Sequence, residues 1–172
     1  MLSYVRILIL ASFAWSSCIL AQTQATPFVH EKTYWLPSGK KVAVTFRERH
    51  CESGECREVD AGMWGMDGGV PRLVTATFLV LIDGREFVIP KKFYRDLTNT
   101  YYVNVFEQKG LIVVKLKGGT AAGAYTASFT LGGICGFERK ICGEVCNEIW
   151  EHIIWYNSFT YEDESRCKSG IQ

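Results

Sequence analysis

The chain has 172 residues, with 19 Lys and Arg against 18 Asp and Glu, 48% hydrophobic and 13% aromatic residues, and seven cysteines. That length suits one domain and the apolar fraction can build a core, which excludes a typical two-domain protein and a wholly disordered chain. A net charge of +1 and a pI near 7.6 exclude the basic footprint of a nucleic-acid binder.

Residues 1–21 (MLSYVRILILASFAWSSCILA) read as a secretory signal peptide, because Arg6 precedes the apolar run 7–14 and small or polar residues follow. The run is shorter than the ~18–20 residues that span a bilayer. Thr75 and Thr77 interrupt the next apolar stretch, so no transmembrane segment is expected after cleavage. Cleavage is expected after Ala21, with Ala25 as the fallback. Lipid anchoring at Cys18 is the alternative, although Trp15 stands where bacterial lipobox sequences carry Leu. The mature chain is thus expected to be secreted or periplasmic. Losing Arg6 leaves 18 basic and 18 acidic residues. Losing Cys18 leaves Cys51, Cys56, Cys135, Cys142, Cys146 and Cys167, an even set, for which three disulfides are the default in an oxidising compartment.

Residues 22–31 are expected to be a flexible N-terminal segment, residues 32–162 a single β-rich domain, and residues 163–172 a polar tail. Period-two alternation marks a half-buried strand at 40–47 (KKVAVTFR) and a central strand at 72–82 (RLVTATFLVLI). Asp83-Gly84 is a hairpin signal, because glycine tolerates the positive φ of a type I′ turn, and residues 86–89 return as the partner strand. Pro90 and the KKFYRDL stretch favour a short helical turn. A second hairpin is expected at 101–107 and 111–117 around Lys109-Gly110, then strands at 124–131 and 134–142. Asn147 is placed to cap a helical turn through Glu151 before a last strand at 152–161, or residues 146–155 form one amphipathic helix. Repeated hairpins at this spacing imply one antiparallel sheet curled into a barrel or sandwich, with one or two helical turns.

The interval 48–71 (ERHCESGECREVDAGMWGMDGGVP) is long for a connection and carries a C-x4-C clip, Cys51 and Cys56. Trp64, flanked by Met63, Met66 and Asp67, either presents an exposed indole to a partner or folds back as a lid on the core. These four residues are the candidate binding group. Cys135, Cys142, Cys146 and Cys167, or three of these thiolates with His152, offer donors for zinc, but lack the paired C-x2-C spacing of a zinc knuckle, so disulfides are preferred. A Cys51–Cys56 bond is expected; spacing leaves three pairings for the other four cysteines, Cys142–Cys146 being disfavoured on a helix. No catalytic set, cofactor motif or metal site is evident. A six-cysteine disulfide set leaves no thiol for a Cys–His nucleophile. Asp60, Asp67, Glu144, Glu148 and Glu151 are available for two-carboxylate hydrolysis, with Glu148 and His152 on one face if helical. Residues 118–123 (GGTAAG) lie between strands without a following Lys-Ser/Thr pair. They read as a tight turn where backbones pack closely.

Gly118, Gly119, Ala121, Ala122, Tyr125, Phe129, Arg139, Gly143, Glu144, Trp150 and Glu151 together resemble a motif set of exported bacterial β-rich proteins: GG-x-AA-x-x-Y-x-x-x-F, then R, G-E and W-E. Thr120 departs from the Asp usual there, and Cys135, Cys142 and Cys146 look like additions. The resemblance implies a mostly β exported domain with a closing strand, and implies no activity. The resulting expectation is a small exported binding domain for a protein or cell-envelope component. The alternatives are an envelope hydrolase using carboxylates near Trp64, or a structural envelope protein.

Overall fold

The computed structural model describes residues 26–56, 62–131 and 136–156. Among the described residues nine strands form two antiparallel sheets. β1 (Val29–Trp35), β2 (Lys41–His50), β3 (Leu73–Ile82) and β4 (Arg85–Phe87) make the first, in that order. β5 (Thr100–Gln108), β6 (Leu111–Gly118), β7 (Tyr125–Leu131), β8 (Gly136–Cys142) and β9 (Ile149–Tyr156) make the second.

The two-residue hairpins form as their sequences dictate. Asp83 and Gly84 both take positive φ (50° and 81°), as do Lys109 and Gly110 (52° and 77°), which is the type I′ combination that matches strand twist. The expectation of a single curled sheet is corrected: there are two sheets, and neither closes into a barrel. The reason lies after β4. Pro90 lacks an N–H for a ladder and opens a 3₁₀ turn, Lys91–Phe93, so the chain leaves the first sheet and starts another. Individual hydrogen bonds also tie the two sheets together. The Tyr34 hydroxyl donates to the Val103 carbonyl (3.2 Å), and the Ser38 N–H donates to Glu107 (3.1 Å).

The sheets share one core. Val42, Val44, Phe46, Phe78 and Val80 from the first face Val103, Val105, Val114, Leu116, Phe129 and Phe137 from the second. Phe78 meets Phe129 edge-on at 5.0 Å, and Phe129 leads on to Phe137 and Phe93. Each such ring removed from water contributes roughly 2 kcal/mol.

Two further expectations change. β1 begins at Val29, inside the stretch expected to be flexible, and pairs along its length with β2. Its inward positions are His30, Lys32 and Tyr34, so no apolar alternation announced it. The segment after β8 contains no helix: Cys146 takes a left-handed turn conformation (φ 57°), and β9 pairs with β8 from Ile149 onward. Without a helix, Cys142 and Cys146 come together and form a disulfide, the pairing disfavoured on helical spacing. Cys51 and Cys56 form the expected one. Cys135 and Cys167 lie outside the described residues, as do the leader and the tail. No helix among the described residues is long and apolar enough to cross a membrane.

Candidate functional site

The residues around Trp64 cross one end of the core as a strap. Trp64 donates its backbone N–H to the Asp96 carbonyl (2.8 Å) and accepts from the Thr98 N–H (3.0 Å), bridging in parallel to Leu97. The segment beneath is fastened on its other side as well. Thr98 donates its hydroxyl to the Leu73 carbonyl and Thr75 donates to the Leu97 carbonyl, both at 2.6 Å. The strap lies so close that only glycine fits: Gly65 has φ 101°, and a Cβ there would sit 2.1 Å from the Thr98 carbonyl oxygen. The turn after β6 is approached as closely, since a Cβ on Gly119 would stand 2.8 Å from the Gly65 Cα.

A polar seam runs under the strap. Glu48 turns inward beside a bulge in β2 and accepts the N–H groups of Phe28 (3.2 Å) and Thr100 (2.9 Å). Burial pushes its carboxyl above the usual range, although those N–H groups pull it down. The Thr100 hydroxyl meets the Tyr125 hydroxyl at 2.9 Å, and burial pushes the Tyr125 phenol well up. Arg139 is the largest of the fully buried side chains. It occupies an inward position of β8 between Phe137 and Ile141, donating to Asp96 at 2.5 Å with Glu151 3.2 Å from its Nε. Burial raises the Glu151 carboxyl, Arg139 lowers it, and Asp96 raises it further, leaving it above its ordinary value. Trp64 stacks on Trp150, the neighbour of Glu151 in β9, with centroids 5.8 Å apart and ring planes at 17°.

Beside the strap opens a cleft of about 590 Å³, lined by Arg49, Glu55, Met63, Lys91, Arg95 and Asp96, with Val74 and Thr75 of β3 also in its wall. The Cys51–Cys56 loop supplies one rim. Arg49 of β2 grips both oxygens of that loop's Glu55 at 2.6 Å. Chiefly through that contact, the Glu55 carboxyl is held down to about 2. Asp96 is engaged by Arg139, whereas Lys91 and Arg95 make no ion pair among the described residues.

Of the candidate binding group, Met63 lines the cleft. Trp64 is half-buried against the core and Trp150. Met66 receives the Asn99 amide at 3.5 Å, and Asp67 is exposed beyond it. Glu148 and His152 do not share a helix face: His152 stands out from β9 and contacts Glu138 at 2.7 Å. Glu144 and Glu148 are exposed, and Asp60 lies outside the described residues. Among the described residues no group of three or more His, Cys, Asp or Glu side chains is placed to hold a metal ion.

Sequence reasoning passed over Lys91, Arg95 and Asp96, which looked like an ordinary turn after Pro90. It passed over Arg139 too, where a signal existed, because a charge at an inward position of an apolar strand demands a buried partner. Five of the eleven GG-x-AA motif positions meet at this seam. Gly118 leaves room for the Tyr125 ring, Arg139 pairs with Glu151, and Trp150 stacks on Trp64. Compared with known protein families, curated proteins and solved structures, the chain shows no significant match to any of them.

Proposed function

We propose that this chain is an exported, disulfide-stabilised β-sandwich that acts by binding, and that the cleft beside the Trp64 strap takes an acidic group of its ligand. The observation that carries this reading is the uncompensated charge of the cleft. Arg49 is spoken for by Glu55, whereas Lys91, which feels Glu55 only through space, and Arg95 flank the same opening without an ion pair among the described residues. Met63 and Val74 offer apolar contact for the body of such a ligand. Two disulfides and a motif set resembling exported bacterial proteins support the export half of the reading.

Hydrolysis by carboxylates is the weaker reading. Asp96 and Glu55 do line the cleft, yet Glu55 at about 2 has no proton to give a leaving group at neutral pH, and Asp96 is engaged by Arg139. The binding reading is tested by titrating the protein with N-acetylglutamate and inorganic phosphate while following backbone amide shifts. The expected shifts converge on Met63, Lys91 and Arg95 and vanish in Lys91→Gln/Arg95→Gln. Shifts scattered elsewhere, or none, would refute the cleft assignment. For export, the N-terminus of the native protein should begin at Gln22, and an uncleaved intracellular chain with titratable thiols would refute it.

A further inference from the structure

A second depression, of about 560 Å³, lies on the outer face of the five-stranded sheet, away from the strap. Its lining includes Tyr102, Asn104, Phe106, Lys115, Lys117 and Glu144. Register places Tyr102 opposite Lys117 and Asn104 opposite Lys115, while the alternate residues Val103, Val105, Val114 and Leu116 point into the core. The next strand continues these rows with Thr126 and Ser128. Lys115 rests its ammonium 5.4 Å from the centre of the Phe106 ring, and neither Lys115 nor Lys117 makes an ion pair among the described residues. A solvent-facing strand does not need aromatic rings for its own stability, yet here two stand four residues apart, roughly 13 Å along an edge strand.

We infer that this face binds an acidic polysaccharide. The rings of Tyr102 and Phe106 give flat apolar surfaces for the C–H faces of sugars. Lys115 and Lys117 meet carboxylates of the polymer, and Asn104 and Ser128 take its hydroxyls. The sparse charge distinguishes this surface from one that tracks a polyphosphate. Lys115 and Lys117 are the two cations of this lining, and Glu144 beside them thins the charge below what a polyphosphate needs while accepting hydrogen bonds from sugar hydroxyls.

Calorimetric titration of the mature chain with oligogalacturonate, oligoalginate and oligohyaluronate tests the inference, with methyl-esterified oligogalacturonate and oligothymidylate as comparisons. Binding to at least one acidic oligosaccharide is expected, weakening with added salt. Lys115→Gln/Lys117→Gln should reduce affinity roughly tenfold, the scale of two lost exposed ion pairs. Tyr102→Ala/Phe106→Ala should reduce it by a similar factor, provided near-UV dichroism shows the fold retained; otherwise the lysine pair alone is the test. The same titrations on Lys91→Gln/Arg95→Gln remove any uptake of the sugar's carboxylates by the cleft, and the affinity that depends on Lys115, Lys117 and the two rings should persist there, which separates this face from the cleft. Absence of binding to all three acidic sugars, unaltered affinity in the lysine variant, equal affinity for the methyl ester, or tighter binding of oligothymidylate would each overturn the inference.

Discussion

Replacing Arg139 with Met tests whether the polar seam is a compensated charge cluster. Met keeps the length and apolar contacts of the arginine stem but removes the guanidinium, so Asp96 and Glu151 face one another without a cation. Breaking a fully buried ion pair typically costs about 3–5 kcal/mol. The two carboxylates retain 22% and 29% of their side-chain exposure, so water screens part of that cost, and a loss of about 2–3 kcal/mol at pH 7 is expected. Glu151 already sits above its ordinary value, and removing Arg139 deletes the one contact that lowers it. An acid raised in the folded state weakens the fold as pH rises through its folded pKa, and no longer does so below its unfolded one. The penalty of Arg139→Met should therefore shrink below about 1 kcal/mol toward pH 4, as the raised Glu151 carboxyl takes up its proton. Urea unfolding followed by tryptophan fluorescence, with disulfides intact, measures it at both pH values. Adding Glu151→Gln should recover about 1 kcal/mol at pH 7, as expected when a like-charge contact is relieved. An equal loss at pH 7 and pH 4, or one within error of zero at pH 7, would refute the account.

Gly65→Ala should cost about 2 kcal/mol or more, because the left-handed backbone and the Thr98 carbonyl both oppose a Cβ. The strap should lift, and Trp64 should lose its stacking on Trp150, read as a red-shifted emission. The Glu55 carboxyl should titrate near 2 by NMR and move up toward the ordinary carboxylate range in Arg49→Gln. Because its folded value lies below the usual one, its contribution to holding the Cys51–Cys56 loop is present at neutral pH and is lost as pH falls toward 2. Intact mass after alkylation should show six blocked thiols in the mature chain. Proteolytic mapping should give Cys51–Cys56 and Cys142–Cys146, which leaves Cys135 joined to Cys167; a free thiol at either would contradict the disulfide set.

The strands and their hairpins were legible because their causes are local. Alternating apolar residues in 40–47, β-branched and aromatic residues in 72–82, and Asp-Gly or Lys-Gly pairs between strands each act within a few residues. β1 was not legible, since its inward residues His30, Lys32 and Tyr34 carry no apolar period and its place depends on pairing with β2. The helix-or-strand ambiguity after Cys142 was equally unresolvable from pattern. Trp150, Ile153 and Ile154 fit either period, and pairing with β8 decided between them.

The candidate site divides the same way. Trp64 and Met63 stood out through composition, as large apolar side chains in a glycine-rich interval. The partners that give them meaning are far away in sequence: Asp96 and Leu97 under the strap, Trp150 against the indole, Arg95 across the cleft. By itself, then, the sequence determined a β-rich chain with type I′ hairpins and a clipped loop, because backbone preference and a six-residue disulfide ring are short-range properties. The tertiary structure alone decided that the described strands form two sheets, that Arg139 is buried between two acids, and that Lys91 and Arg95 come to one cleft without an ion pair among the described residues. Charge compensation and close backbone approach depend on which distant segments meet, and no local pattern encodes that meeting.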